Sequence, residues 1–429
     1  MTGSSTFRRS ALGELAEIFD GPHATPAKTD SGPVFLGISC LAHGRLDLTD
    51  SEHVSEEDFA AWTRRVTPLP GDVVFSYETR LGEAAIVPAG LRCCLGRRMG
   101  LLRARPGEVD PRFLLYAYLA PEFQETLRAR TIHGSTVDRI PLIEMPRFPI
   151  CVPRSVDEQR AIASLLAALD DKIDLNRRMN ETLEELARTI FKSWFVDFDP
   201  VRAKAEGRQP VGMDAETAAV FPCRLIGDVP EGWAVSTLGE VARQRRDAVM
   251  PNEIPPETPY IGLEHMPKKS IALSEWGSAG EAESQKSRFD TGDILFGKLR
   301  PYFHKVGVAP VSGVCSTDIV VVQPTNPSLF GLALGHLSSE AFVAHTNAGS
   351  DGTKMPRTNW SWMASYKIVR PAEGPSTLFA NLFRTCVSRI RAAIFESRTL
   401  SETRDLLLPK LISGELRIKD AEKLAEAAL

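Results

Sequence analysis

A chain of 429 residues exceeds what one ordinary core organises, so two or more domains are expected. Its 43% hydrophobic and 25% charged content is that of a normal globular protein, which excludes a disordered or membrane-embedded chain. The net charge of −4 has the wrong sign for a nucleic-acid binder, yet Arg64 to Arg105 is rich in arginine and poor in acids, so a basic face on an acidic scaffold is compatible with it.

The first twenty residues contain no apolar segment resembling a signal peptide, and no run approaches the roughly 18 apolar residues of a membrane span, so a cytoplasmic location is expected. The seven cysteines are scattered without a CxxC pair, and the eight histidines show no HExxH spacing. Reduced thiols are expected, with neither a metal nor a cofactor site. Adjacent Cys93 and Cys94 should face opposite sides of a strand.

Internal repetition organises the rest. Leu12-Gly13-Glu14-Leu15-Ala16 returns as Leu238-Gly239-Glu240-Val241-Ala242, and Phe35-Leu36-Gly37-Ile38 as Tyr260-Ile261-Gly262-Leu263. Gly71-Asp72-Val73-Val74-Phe75 returns as Gly292-Asp293-Ile294-Leu295-Phe296, each leading to a short apolar element ending at Pro88 or Pro310. Gly134-Ser135-Thr136 precedes Ile140-Pro141 as Asp351-Gly352-Thr353 precedes Met355-Pro356. The separation between copies shrinks along the chain, which a few short deletions in the second copy explain. The chain reads as a tandem duplication.

In chain order, residues 1–153 read as a first globular domain of short strands, with a proline-broken helical stretch from Phe113 to Arg130 and an edge strand over Phe148–Pro153. Ser155 with Glu158 forms a capping-box signature opening a helix over 154–196. Its seam has a seven-residue period: Ile162, Leu169, Asn176, Leu183 and Ile190, with Leu165 and Leu186 in the row beside it. Asn176 is a polar seam residue of the kind that fixes register at some cost in stability. Residues 197–230 are polar and rich in proline and glycine, reading as a linker. The second globular copy spans 231–372, and a second helix spans 373–413 with Phe379, Leu382, Cys386 and Leu400 in its seam. Its periodicity fades around Glu396 and Ser397; residues 414–429 form a tail. Neither apolar stripe can stay in water, so the two helices are expected to pack together, antiparallel.

Gly292 to Lys298 fits the GxxxxGK pattern of a phosphate loop. The next residue is Leu299 where the metal-binding Ser or Thr is needed, so a strand followed by a basic loop is the better reading. Asn326-Pro327-Ser328-Leu329 lacks the second proline and the aromatic of a base-flipping methyltransferase motif. The candidate DNA contacts are therefore basic turns at equivalent places in both copies. They are Lys298, Arg300, Lys354, Arg357 and Asn359 in the second, and Arg80 and Arg139 in the first, to which the arginine-rich stretch adds Arg97 and Arg98. Any one of these alone is an ordinary solvated residue; their pairing across the repeat gives them weight.

Several segments resemble the specificity subunit of type I restriction–modification enzymes. They are Asp157-Glu158-Gln159-Arg160-Ala161-Ile162, the run Phe191 to Lys204 (FKSWFVDFDPVRAK), Pro230-Glu231-Gly232-Trp233, and Leu408 to Leu416 (LPKLISGEL). The resemblance implies an α+β fold of two similar target-recognition domains joined by two long antiparallel coiled-coil helices with pseudo-two-fold symmetry. It implies a non-catalytic subunit, without cofactor, that reads a bipartite site in double-stranded DNA and directs two methyltransferase subunits and the restriction/translocase subunits. The rival expectations are a coiled-coil scaffold that does not touch DNA, and a degenerate DNA methyltransferase or nucleotide hydrolase.

Overall fold

A computed structural model describes residues 6–426, except 43, 50, 135, 136, 282, 283 and 353. Ser135, Thr136 and Thr353 of the repeat words thus lie outside the described residues. The chain folds as two compact units, one made of residues 1–173 with 398–429 and the other of residues 174–397.

The two units repeat one topology. In the first, an antiparallel sheet has the strand order Ala16–Asp20, Met99–Ala104, Val73–Ser76, Ala84–Ile86. In the second, the same order is Ala242–Gln244, Ile319–Pro324, Ile294–Gly297, Val306–Val308. A parallel pairing recurs beside each: Val34–Leu36 with Cys93–Leu95, and Tyr260–Ile261 with Val314–Cys315. The repeated words have physical causes. Gly13 and Gly239 lie where an added Cβ would come 2.9 Å from Pro146 Cβ and 3.1 Å from Ala364 Cβ. Gly71 and Gly292 are left-handed at φ 91° and 89°, and the next residue, Asp72 or Asp293, folds back to accept from Leu69 N–H (2.8 Å) or Asp290 N–H (2.9 Å). The GxxxxGK segment is a buried strand, as its apolar interior dictates.

Cys93 and Cys94 enter two separate hydrophobic clusters on opposite faces of their strand. Burial pushes their thiols up to about 12 and about 11, so both are inert packing groups. No described helix is long and apolar enough to cross a membrane.

Two long helices, Val156–Phe195 and Glu373–Ser413, each contribute to both units. The first unit's core takes Ile162, Leu166 and Leu169 from the central helix and Leu400, Leu407 and Leu411 from the distal one. The second takes Ala187, Phe191, Trp194 and Phe195 with Phe379, Phe383, Cys386 and Ile390. Within the second unit the segments run antiparallel, since Asn176 meets Glu396 and Phe191 meets Phe379. Asn176 is 1% exposed and donates to Glu396 Oε2 (2.7 Å) and Ser397 Oγ (3.2 Å). The apolar period fades at those two residues because they are its partners. In the first unit Asp170 pairs with Arg404 at 2.7 Å and accepts from Tyr116 Oη at 2.7 Å.

The expected seam needs one correction. Leu165, Leu183, Ile190 and Leu382 pack against the cores half-buried, but Leu186 is 49% exposed. A straight helix drifts about 20° per heptad against a strict seven-residue repeat. Three heptads after Leu165 the row has turned outward, and Ala187 holds the inward place.

Residues 197–230, expected as a linker, are folded against the second unit. Short helices at Asp199–Ala205 and Ala215–Ala219 and a hairpin of Leu225–Ile226 with Val229–Pro230 bury Phe198, Val201 and Phe221 in its core. The prolines and glycines mark tight corners between short elements. The expected tail likewise carries a helix, Ile418–Glu426, whose Ala421 and Ala425 join the first core. Glu184, buried on the central helix, accepts from Ser270 Oγ (2.7 Å), Ile271 N–H (2.9 Å) and Ala272 N–H (3.1 Å). Burial nevertheless holds its pKa above the usual carboxylate value.

Candidate nucleic-acid interface

In each unit the second word of the sheet, Val73–Ser76 or Ile294–Gly297, runs into a loop that turns through a left-handed residue other than glycine: Thr79 at φ 71° and Arg300 at φ 50°. A second loop, remote in sequence, is zipped onto the first. In the first unit Ile140 N–H donates to Tyr77 O (2.8 Å), and Arg139 exchanges backbone bonds with Ile132 (2.9 and 3.1 Å). In the second, Thr358 N–H donates to Lys298 O (3.1 Å), and Arg357 exchanges backbone bonds with Asp351 (2.9 and 3.0 Å). Loops chosen from the repeat as separate candidates therefore form one paired edge in each copy.

The second unit brings Lys298, Arg300, Lys354, Arg357 and Asn359 together. Arg300 N–H donates to Pro356 O at 2.7 Å and its Nη2 to Lys354 O at 3.4 Å, while its Nε is buried without a partner. Arg357 is gripped by Asp318 through Nε (3.0 Å) and Nη2 (3.3 Å). Lys298 and Lys354 form no ion pair among the described residues. Asn359 is committed elsewhere: its Oδ1 caps the helix Trp360–Ala364 by accepting from Trp362 N–H at 3.0 Å.

The first unit groups fewer of its candidates. Arg98 pairs with Glu78 at 3.0 Å and donates to Thr79 Oγ1 at 3.1 Å, beside exposed Arg139. Arg97 is exposed and forms no ion pair among the described residues. Arg80 turns away from the edge, donating to Ile38 O at 3.1 Å and pairing with Glu83 at 3.4 Å. Exposed ion pairs contribute only about 0–1 kcal/mol to stability, so what Asp318 and Glu78 supply is orientation of a guanidinium. Sequence reasoning missed both clamps and the left-handed turns. Glu78 stood beside the candidates, but Asp318 is remote from Arg357 in the chain and carries no motif.

Among the described residues no group of three or more His, Cys, Asp or Glu is placed to hold a metal ion. The profile of the type I restriction modification DNA specificity domain matches residues 6–185. The HindI type I restriction enzyme specificity subunit of Haemophilus influenzae is 24% identical over 358 residues, covering 72% of this chain and 78% of that protein. The chain belongs to the type I specificity-subunit family. A second member, the MjaIX specificity subunit of Methanocaldococcus jannaschii, is 24% identical over 379 residues, covering 86% of this chain and 82% of that protein. The crystal structure of a type I restriction–modification S subunit from M. genitalium shares the fold, with a TM-score of 0.57 at 15% identity over 96% of this chain and 98% of that one. As a specificity subunit the chain carries its DNA-specificity match on the first copy, and the second copy repeats that topology strand for strand.

Proposed function

We propose that this specificity subunit reads a bipartite double-stranded DNA target, one half-site with the paired loops of each unit, and directs methyltransferase and restriction subunits to it. The observation that carries this reading is the recurrence, in both copies, of two zipped loops bearing arginine and lysine at the same sheet edge. Two modest half-site interactions on one chain combine into a single event of useful affinity. The chain contributes recognition, while methyl transfer and ATP-driven cleavage belong to its partners.

An exposed apolar row on the central helix suits such a partner. Leu175 is 59% and Leu186 49% exposed, with half-buried Met179 between them at helical spacing. We assign this row to docking of a methyltransferase subunit, two of which would serve the two half-sites.

The test is deletion of this gene alone, followed by single-molecule sequencing of methylated bases in the host DNA. A bipartite methylated motif should vanish and return on complementation. Methylation that survives the deletion would overturn the reading. The net charge of −4 favours a second reading, a scaffold that does not touch DNA. Nuclease footprinting of the assembled complex separates the two, since a scaffold leaves no sequence-defined protection.

A further inference from the structure

We propose that Tyr302 is an aromatic wedge that enters the base stack of the half-site read by the second unit. The inference rests on the DNA-reading role of the paired loops and assigns a distinct action to one of their residues.

Tyr302 sits in the three-residue turn Pro301–Phe303, bracketed by Arg300 (φ 50°, ψ 62°) and His304 (φ 52°, ψ 54°). Left-handed backbone is unfavourable for residues with a Cβ, so two of them within five residues persist only where the surroundings enforce them. The enforcement is visible. Pro301 fixes its own φ, Arg300 N–H is held by Pro356 O at 2.7 Å, and the His304 ring donates to Ser338 O at 2.9 Å. The turn is therefore rigid, and its tip is a tyrosine that is 50% exposed.

One exposed tyrosine is unremarkable by itself. Here Phe303 braces it edge-on at 4.8 Å, Lys268 lies 5.4 Å over the Phe303 ring, and Lys298 and Arg300 flank the turn. A rigid aromatic amid cations matches the way proteins unstack a base step, with phosphate contacts seating the wedge. The first copy lacks the device. Leu81 takes the position of Tyr302 in the repeat and is half-buried against the first core. The wedge is thus expected in one half-site only, and the other is an internal control.

The test uses the full complex with methyltransferase subunits on duplexes carrying 2-aminopurine, one position at a time, at bases that are not methylated. The wild type should give enhanced fluorescence at one step of the second half-site and none in the first. Tyr302→Ala should abolish it and weaken that half-site about tenfold, while Tyr302→Phe should keep both. Three outcomes would overturn the proposal: unstacking that survives Tyr302→Ala, Tyr302→Phe losing as much as Tyr302→Ala, or Tyr302→Ala failing to assemble with the methyltransferase, which would place the ring against protein. Wild-type complex that binds no duplex sequence-specifically would instead remove the DNA-reading role itself.

Discussion

Lys298 and Lys354 reach solvent without an ion pair among the described residues, whereas Arg357 and Arg98 are each gripped by a carboxylate. A flexible ammonium suits phosphate, and a fixed guanidinium suits a base edge. Lys354→Ala should therefore weaken binding equally on target and unrelated DNA and lower the salt slope by about one, while Arg300→Ala should cost about 1–3 kcal/mol on the second half-site alone. Binding isotherms against single-base variants across a salt series check both, and equal loss on unrelated DNA would recast Arg300 as a phosphate contact. A different residue sets the acid limit of the second unit. His336 is buried between Phe191 (4.9 Å) and Tyr366 (5.9 Å), its Nε2 has no partner, and burial pushes its pKa down to about 3. Below about pH 6.5 the unfolded chain takes up a proton that the folded one refuses. Stability should fall by about 1.4 kcal/mol per pH unit as pH drops from about 6.5 toward about 3. His336→Phe should flatten that slope in urea melts, and an unchanged slope would mean the proton goes elsewhere.

The helices show what a sequence can and cannot reveal about an element. The heptad period located the seam through Ile162, Leu169 and Asn176, because burial of one face imposes that repetition. It misplaced Leu186, because the drift of a straight helix accumulates beyond three turns. Folded corners at Phe198, Val201 and Phe221 were invisible for another reason: isolated apolar residues among prolines have no period to detect. At the candidate site, the repeat identified the loops, but the left-handed turns at Thr79 and Arg300 depend on hydrogen bonds to chain more than fifty residues away. Asn176→Ala should cost about 1–3 kcal/mol in chemical denaturation, since it removes a donor that the Glu396 carboxylate and Ser397 face inside the seam. A neutral effect would mean that water replaces it freely.

At the scale of the molecule, the proposed reading makes helix length a determinant of the target. Inserting one heptad into both helices, after Ile173 and after Ser397, adds about 10 Å to each while keeping the seam in phase, the equivalent of about three base pairs. The methylated motif should keep both half-sites and gain unread positions between them. An unchanged gap, or altered half-site bases, would count against the helices as the measure of spacing.

The division of the chain has a consequence for its birth on the ribosome. The second unit is continuous, residues 174–397, and everything it needs has emerged once Ser397 clears the exit tunnel. The first unit, although synthesised first, lacks Leu400, Leu407, Leu411, Ala421 and Ala425 of its own core until translation is all but finished. Its apolar surface must wait exposed through the synthesis of more than two hundred residues, a natural substrate for chaperones. A stop codon just after Ser397 would spare the later-made unit and cripple the earlier one.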